Sequence, residues 1–225
     1  EDWDEPSDFG QIIKLLRIAK SDGPAWARAG AVKLKTLGNG HLITRYSNQD
    51  NPDYHPASGA AGLLLGPVCG EFFASDIFGA RLFAGLLGIE LGRLLSNDKK
   101  WHDRFWVQLE LAHDVGEAGG PVIDTSTGAR LRTPSATLMH LDATAMLYRS
   151  ASSQLMLLLG GGTRIQSTRA DFGAVLGLSL DSDLDGFLLG GKLEARKNGG
   201  GFRQGYFGPQ YELSRFVGAG FSGVP

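Results

Sequence analysis

The chain has little of what several functional classes require. Cys69 is its only cysteine among 225 residues, which excludes an intramolecular disulfide and a cysteine-cluster metal site. A single buried thiol is the simplest interpretation of it. Its 22 basic and 24 acidic residues leave a formal net charge of -2, without the basic excess that nucleic-acid binding needs. We therefore expect no nucleic-acid partner.

Long apolar runs are missing as well. The longest one covers residues 155–162, well short of the roughly 18 residues that a membrane helix needs, so helical membrane spanning is excluded. The first residues, EDWDEPSD, lack the basic and apolar regions of a secretion signal. The chain is therefore expected to be either cytoplasmic or a mature exported form, and its acidic start suits the second.

Alternation of apolar with small or charged residues is what the chain has instead. It is clearest in residues 172–181 and 187–196, which read as two strands of one hairpin, and it recurs in residues 105–111 and 138–148. The pattern leaves one face of a sheet apolar and the other small or polar. In a soluble sandwich the apolar face would meet a second sheet, whereas in a membrane barrel it would meet lipid around a wet lumen.

The order of segments favours the barrel. Nine or ten strands follow residue 25, many near the length of about ten residues that a tilted strand needs to cross a bilayer. Long and very short connections alternate between most of them, as in outer-membrane barrels. A short helix over residues 8–20, capped by Ser7, is predicted before them, with a strand from Ile12 to Ile18 as the alternative.

These observations predict a periplasmic N-terminal segment, residues 1–24, and a β-barrel domain, residues 25–225. Whether the barrel closes within these residues stays open, because the final stretch GAGFSGVP ends on a proline that cannot donate to a strand ladder. The loops at residues 45–58 and 115–135 are predicted to be exposed on the same outer side, since an even number of crossings separates them.

The strand pattern, together with the stretches TLGNGHLITRYSN and FGARLFAG, resembles Gram-negative outer-membrane β-barrel proteins. GNGHLITRYSN and GYFGPQYELSRF are similar to features of a poorly characterised, porin-like group of them. The resemblance implies an all-β, antiparallel transmembrane barrel of about ten or more strands in the cell outer membrane. It also implies outer-membrane lipid, lipopolysaccharide and envelope proteins as partners. The chain departs from the general pattern in lacking a terminal strand that ends on an aromatic residue.

The two parities of the strands predict two sets of residues. The polar parity is expected to line the lumen and comprises Arg104, Gln108, Glu110, His140, Asp142, Lys192, Glu194 and Arg196. The apolar parity is expected to face lipid and comprises Phe105, Leu109, Leu141, Leu176, Leu178, Leu189 and Leu193. A charged lumen that sets pore selectivity and a lumen filled by structural salt bridges are both compatible with the first set.

Two groups of residues are candidates for a chemical site. His140 and Asp142 stand two apart on one strand face, about 7 Å from each other, so that the carboxylate can bias the imidazole. No third group for acid–base catalysis is indicated, and no motif of a known barrel enzyme matches. Oxygen ligands for a cation gather at Asn48, Asp50 and Asp53, with His55 beside them, but Asn and Asp are ordinary turn formers. We therefore expect no metal and no cofactor.

The sequence thus predicts an outer-membrane β-barrel without enzymatic activity, acting as a pore or as the membrane-embedded scaffold of an envelope assembly. A barrel-embedded lipid-modifying hydrolase that uses His140 and Asp142 is one alternative. A soluble β-sandwich that binds a ligand or a partner is the other.

Overall fold

Ten strands form one antiparallel sheet in the computed structural model, which describes residues 6–20, 23–49, 56–116, 122–123, 130–132, 135–165 and 171–216. The predicted all-β, antiparallel fold is confirmed. In spatial order the strands are β1 (Leu16–Ile18), β2 (Ala25–Gly30), β3 (Ser58–Leu65), β4 (Val68–Ala74), β5 (Leu82–Glu90), β6 (Phe105–Asp114), β9 (Ala136–Arg149), β10 (Ser153–Arg164), β11 (Phe172–Leu184) and β12 (Phe187–Asn198). Strands β7 (Val122–Ile123) and β8 (Arg130–Arg132) make a separate two-stranded sheet.

The sheet is a simple meander, because each strand pairs with its neighbour along the chain once the β7–β8 hairpin is set aside. The sheet is open in the described residues: β1 and β12 are its two edges and do not pair with each other. The edges are also unequal, since β1 has 3 residues and β12 has 12.

The links between strands differ in length at the two ends of the sheet. Between β2 and β12, the links at one end cover residues 31–57, 75–81, 115–135 and 165–171. Those at the other end cover residues 66–67, 91–104, 150–152 and 185–186. Only one link at this second end is long, and it holds helix α2 (Leu91–Leu95) and a 3-10 turn (Lys99–Trp101).

The predicted N-terminal helix is wrong beyond its first turn. Helix α1 spans Pro6–Gly10, and the chain then runs as strand β1, which pairs with β2. As a strand, Leu16–Ile18 forms ladder hydrogen bonds with the edge of β2. A helical segment could not form these bonds. At the other end of the chain, the described residues after β12 form helix α3 (Leu213–Phe216) and no named strand. No helix in the described ranges is long and apolar enough to cross a membrane.

Register places the two parities of all strands on two consistent faces. On β6 and β9, Leu109 lies opposite Leu141 on one face, and Glu110 lies opposite His140 on the other. The apolar face is here defined by residues that are between 40% and 77% exposed: Leu63, Leu65, Phe72, Leu87, Leu109, Leu141, Leu159, Leu176, Leu178 and Leu193. The polar face is the side that carries Glu110, His140, Asp142 and Glu194.

The hydrophobic core lies on the polar face, beneath two segments that fold over it. These are residues 31–49, here called the inward loop, and residues 199–212, here called the tail segment. Their buried side chains are Val32, Leu37, Leu42, Ile43, Tyr46, Phe202, Phe207 and Tyr211, and they meet Phe73, Leu82, Ala84, Ala112, Ala136 and Leu138 of the sheet. Each of these residues is at most 7% exposed.

Candidate functional site

The inward loop is fixed to the tail segment by backbone hydrogen bonds. The amide of Thr44 donates to the carbonyl of Phe207, the amide of Phe207 donates to that of Leu42, and the amide of Gly205 donates to that of His41. Within the loop, Lys35 and Tyr46 exchange two hydrogen bonds of 2.8 Å. The loop therefore presents His41 to the sheet from a braced backbone.

His41 is the centre of a buried polar cluster. Its Nδ1 lies 2.6 Å from Oδ1 of Asp142, and its Nε2 lies 3.0 Å from Oε1 of Glu194. The other carboxylate oxygen of Asp142 lies 3.0 Å from Nδ1 of His140. The rings of His41 and His140 are 4.8 Å apart, and their side chains are fully buried.

Glu194 links the cluster to two cations on its own strand. Its carboxylate lies 2.6 Å from Nζ of Lys192 and accepts a 2.7 Å hydrogen bond from Nε of Arg196, whose terminal nitrogen also contacts it. Lys192 additionally donates to the carbonyl oxygen of Asn39 in the inward loop, at 2.9 Å. Because Glu194 has two cationic partners of its own, its charge is balanced without the histidines.

Glu110 on β6 is also fully buried, and it has no such partner. Neither of its carboxylate oxygens makes a hydrogen bond of good geometry within the described residues. The cross-strand position of His140 and the close approach of Gly38 in the inward loop place it at the edge of the cluster. Nε2 of His140 is likewise buried without a hydrogen-bond partner in these residues. Two buried polar groups next to the His41–Asp142 pair thus lack a hydrogen bond of good geometry in the described residues.

Glycines on β10 make the space that the histidines fill. A Cβ at Gly160 would collide with Asp142 and lie 2.7 Å from Cε1 of His140, and one at Gly162 would collide with His140 and Phe202. Phe202 of the tail segment stacks on His140 at 6.2 Å between ring centroids. The glycine-rich end of β10 therefore provides room for the cluster and its cover.

Opposing effects act on the charge of His41. Burial lowers its pKa, but the hydrogen bond and charge of Asp142 and the hydrogen bond to Glu194 outweigh burial. The net result is a pKa above the ordinary 6.5 for this imidazole. The charged form is favoured because both ring nitrogens face carboxylate oxygens.

The structure brings together most of the residues predicted from the polar parity. Glu110, His140, Asp142, Lys192, Glu194 and Arg196 lie in or beside the cluster. Arg104 does not, because it is exposed next to the Trp101 ring, 5.9 Å from its centroid. Gln108 is half-buried on the same face, and its side-chain oxygen lacks a hydrogen bond in the described residues.

His41, the residue at the centre, was not predicted from the sequence. It stands in a segment rich in Asn, Asp and Gly, where strand periodicity gives no information. The only available signal was an isolated apolar stretch, HLITRY, inside a polar loop. Leu42, Ile43 and Tyr46 of that stretch are all fully buried.

The candidate cation residues of this loop divide into two groups. Asn48 is a structural residue: its amide group donates to the carbonyls of Pro56 and Ser75, and its oxygen accepts from the amide of Val32 at 2.8 Å. Residues 50, 53 and 55 lie outside the described residues.

The predicted lipid-facing residues are all exposed. Phe105, Leu109, Leu141, Leu176, Leu178, Leu189 and Leu193 range from 38% to 77% exposed. That they face lipid stays a prediction.

The predicted exposure of the loop at residues 45–58 is wrong for most of its described part. Tyr46, Ser47 and Asn48 are at most 8% exposed, and Ala57 and Ser58 are at most 3% exposed. The loop is buried because it folds onto the polar face, where its backbone and apolar side chains find partners. Most of the second loop, residues 115–135, lies outside the described residues.

The chain matches no protein-family model, no curated protein and no solved structure. Its function is therefore inferred from its fold and its polar cluster.

Proposed function

We propose that this chain forms part of the wall of an outer-membrane β-barrel whose interior is filled, so that it acts as a membrane-embedded scaffold of an envelope assembly. One observation carries the proposal. The seven strands β3–β6 and β9–β11 are fully described, and their apolar parity contains no Asp, Glu, Lys or Arg.

The contrast with the other parity supports a membrane environment. The polar parity of the same strands carries nine ionisable carboxylate or guanidinium side chains: Glu71, Glu90, Glu110, Asp114, Asp142, Arg149, Arg164, Asp181 and Asp183. Monomeric soluble proteins rarely expose contiguous apolar patches beyond a few hundred Å². An outward apolar band opposite a polar interior is typical of membrane barrels.

The filled polar face favours a scaffold over an open pore. The inward loop and the tail segment place Leu42, Ile43 and Phe207, all fully buried, above the strands where a channel would run. Barrels of about ten strands also enclose an interior that side chains nearly fill, and open channels are typical of about sixteen or more. A path for ions would require the inward loop to leave its braced position.

The chain topology is compatible with this proposal. Long links at one end of the sheet and mostly short links at the other are typical of outer-membrane barrels. Because the described sheet is open, a closed barrel needs strand pairing beyond that of these residues, from elsewhere in the protein or from a second copy. The 12-residue edge strand β12 offers the longer surface for such pairing.

The observations favour neither of the other predicted functions. In the described residues no hydroxyl group forms a hydrogen bond with His140 that would identify a nucleophile. A sandwich would need a broad second sheet on the apolar face, and the second sheet of the described residues, β7–β8, has only two strands of 2 and 3 residues.

Membrane extraction tests the proposal most directly. We expect the chain to remain with the membrane after washing in urea and to require detergent for extraction. It should also migrate on a gel at different positions before and after heating, as folded barrels do. A folded, monodisperse chain in buffer without detergent would contradict the membrane assignment.

Conductance separates the scaffold from the pore. Purified, correctly folded protein in a planar bilayer should give no steady current at moderate voltage. Steady single-channel currents that change ion preference on Glu194→Lys would show instead that the polar face lines a conducting path.

A further inference from the structure

Three side chains with metal-binding atoms meet beneath the inward loop. His41 comes from the loop, and His140 and Asp142 come from β9. One ligand atom from each lies within 4.8 Å of the others, and all three residues are at most 1% exposed. Because they approach from two separate parts of the chain, the cluster joins the loop to the sheet.

The hydrogen atoms available in this cluster are too few for its contacts. A neutral imidazole carries one N–H, which donates, and one lone pair, which accepts. His41 faces a carboxylate oxygen with both nitrogens, at 2.6 Å to Asp142 and 3.0 Å to Glu194. If Nε2 donates to Glu194, a second positive centre must lie between Nδ1 and Asp142. That centre is either an added proton or a metal ion.

An added proton satisfies His41 alone. It leaves the buried carboxylate of Glu110, which only the backbone amides of Leu42 and Asn39 approach, without a counter-charge. Buried polar groups without hydrogen bonds are costly, and buried charges need a counter-charge. Since Lys192 and Arg196 already pair with Glu194, one added proton balances only one of the two carboxylates of Asp142 and Glu110. A divalent cation balances both.

We propose that His41, His140 and Asp142 bind a divalent first-row transition-metal ion, of which Zn²⁺ is the simplest representative. Two imidazoles and a carboxylate are a common ligand set for such ions. Ligand atoms about 2.1 Å from one tetrahedral ion stand roughly 3.4 Å apart. The two His–Asp contacts, at 2.6 and 3.0 Å, therefore need to open by about 0.8 and 0.4 Å, and the other separation, within 4.8 Å, needs to close around the ion.

Glu194 and Glu110 complete the environment of the site. A ligating histidine commonly donates its other N–H to a carboxylate, which fixes the orientation of the ring, and Glu194 accepts from Nε2 of His41 in this way. Glu110 lies directly opposite His140 in the register and supplies the remaining negative charge. The bound ion fastens the inward loop to β9, whether or not the apolar face meets lipid.

Metal analysis of the whole folded chain tests this inference. The protein is purified without a histidine tag, and elemental analysis is expected to find about one ion per chain, as at other buried protein sites. After the ion is removed with a chelator, Co²⁺ added as a spectroscopic probe should give the visible absorption of nitrogen and oxygen coordination. Zn²⁺ should displace the Co²⁺ and raise the midpoint of urea unfolding.

His140→Gln is the informative variant, and His113→Gln is its matched control. His113 also lies on a strand, but on the opposite face, where it contacts Thr137. Loss of an outer-shell partner lowers metal affinity by about 10- to 100-fold, so loss of the His140 ligand should lower it by at least about 100-fold. Zn²⁺ affinity should be unchanged in His113→Gln.

Three results would overturn the inference. The first is folded wild-type protein that carries no ion and gives no Co²⁺ spectrum. The second is an equal Zn²⁺ affinity in the two variants. If His140→Gln does not fold, Asp142→Asn replaces it, and Asp181→Asn is the control, because Asp181 lies on the same face but outside the cluster. The third result is an equal Zn²⁺ affinity in these two variants.

Discussion

In a sheet of a water-soluble protein, the apolar face is packed and the polar face is solvated. In this sheet the polar face is the buried one and the apolar face is the exposed one. Here Glu110, His140 and Asp142 are fully buried, whereas Leu141 on the neighbouring position is 53% exposed. The difference shows that the chain covers the face whose groups need hydrogen-bond partners. The other face needs none, and we propose that lipid covers it.

The largest difference between the faces is expected from leucines on a single strand. Leu138 on the polar face is fully buried, and Leu141 on the apolar face is half-exposed. Leu138→Ala should lower the free energy of unfolding by about 2–5 kcal/mol, because it opens a cavity in the core. Leu141→Ala should change it by about 0.5 kcal/mol or less. Urea unfolding of both variants measures this, and equal losses would contradict the assignment of the core to the polar face.

A charged residue placed on each face in turn tests whether lipid covers the apolar face. Leu178→Arg puts a cation among exposed leucines, which should cost about 2–4 kcal/mol at mid-membrane. Asp181→Arg on the same strand lies on the polar face and is exposed, so it should assemble almost normally. Assembly is measured as the heat-modifiable fraction in the membrane. If Leu178→Arg assembles as well as its control, water rather than lipid covers that face.

The next effect concerns how closely the inward loop approaches the polar face. Gly38 has a φ of +50° and a Cβ there would collide with Glu110 and Leu86. Gly38→Ala should therefore cost about 1–3 kcal/mol of stability. Gly191→Ala on β12 is the control, because no atom lies within 4 Å of its added Cβ. A loss no larger than that of the control, measured by urea unfolding, would show that the loop does not hold this conformation.

The smallest effect is expected at the tail segment. The hydroxyl of Tyr211 donates a 2.6 Å hydrogen bond to the buried carboxylate of Asp114. Tyr211→Phe removes this bond and should lower the free energy of unfolding by about 1 kcal/mol. Tyr148 is 58% exposed near the end of β9, and Tyr148→Phe should leave stability unchanged. Thermal or urea unfolding measures both variants. Equal stability in the two would contradict a stabilising hydrogen bond between Tyr211 and Asp114.

The sheet could be predicted from the sequence because its period of two is strong and local. Alternation in residues 105–111 and 138–148 placed Leu109 and Leu141 on one face and Glu110 and His140 on the other, as register confirms. The first strand, Leu16–Ile18, was predicted only as the alternative to a helix. Three residues are too few for a periodic signal, and their pairing depends on the edge of β2.

The cover of the polar face could not be predicted, because it depends on contacts between distant segments. Composition assigns the inward loop to solvent, yet Leu37, Leu42 and Ile43 are fully buried. For the same reason the residues of the polar parity were predicted, but His41 at the centre of their cluster was not. Strand parity identified His140, Asp142 and Glu194, but nothing in the parity of a strand points to a histidine in a loop about a hundred residues earlier.

The bonds that fasten the inward loop also define an order of folding. His41 is 101 residues from Asp142 and 153 from Glu194, and Tyr46 donates to Glu212 across 166 residues. Contacts of such sequence separation form late, because the chain entropy of closing so long a loop is lost before the contact stabilises anything. Neighbouring strands of the meander are joined by much shorter closures. We therefore expect the hairpins to form first. The inward loop should reach its final position only after β12, which carries Glu194, has joined the sheet.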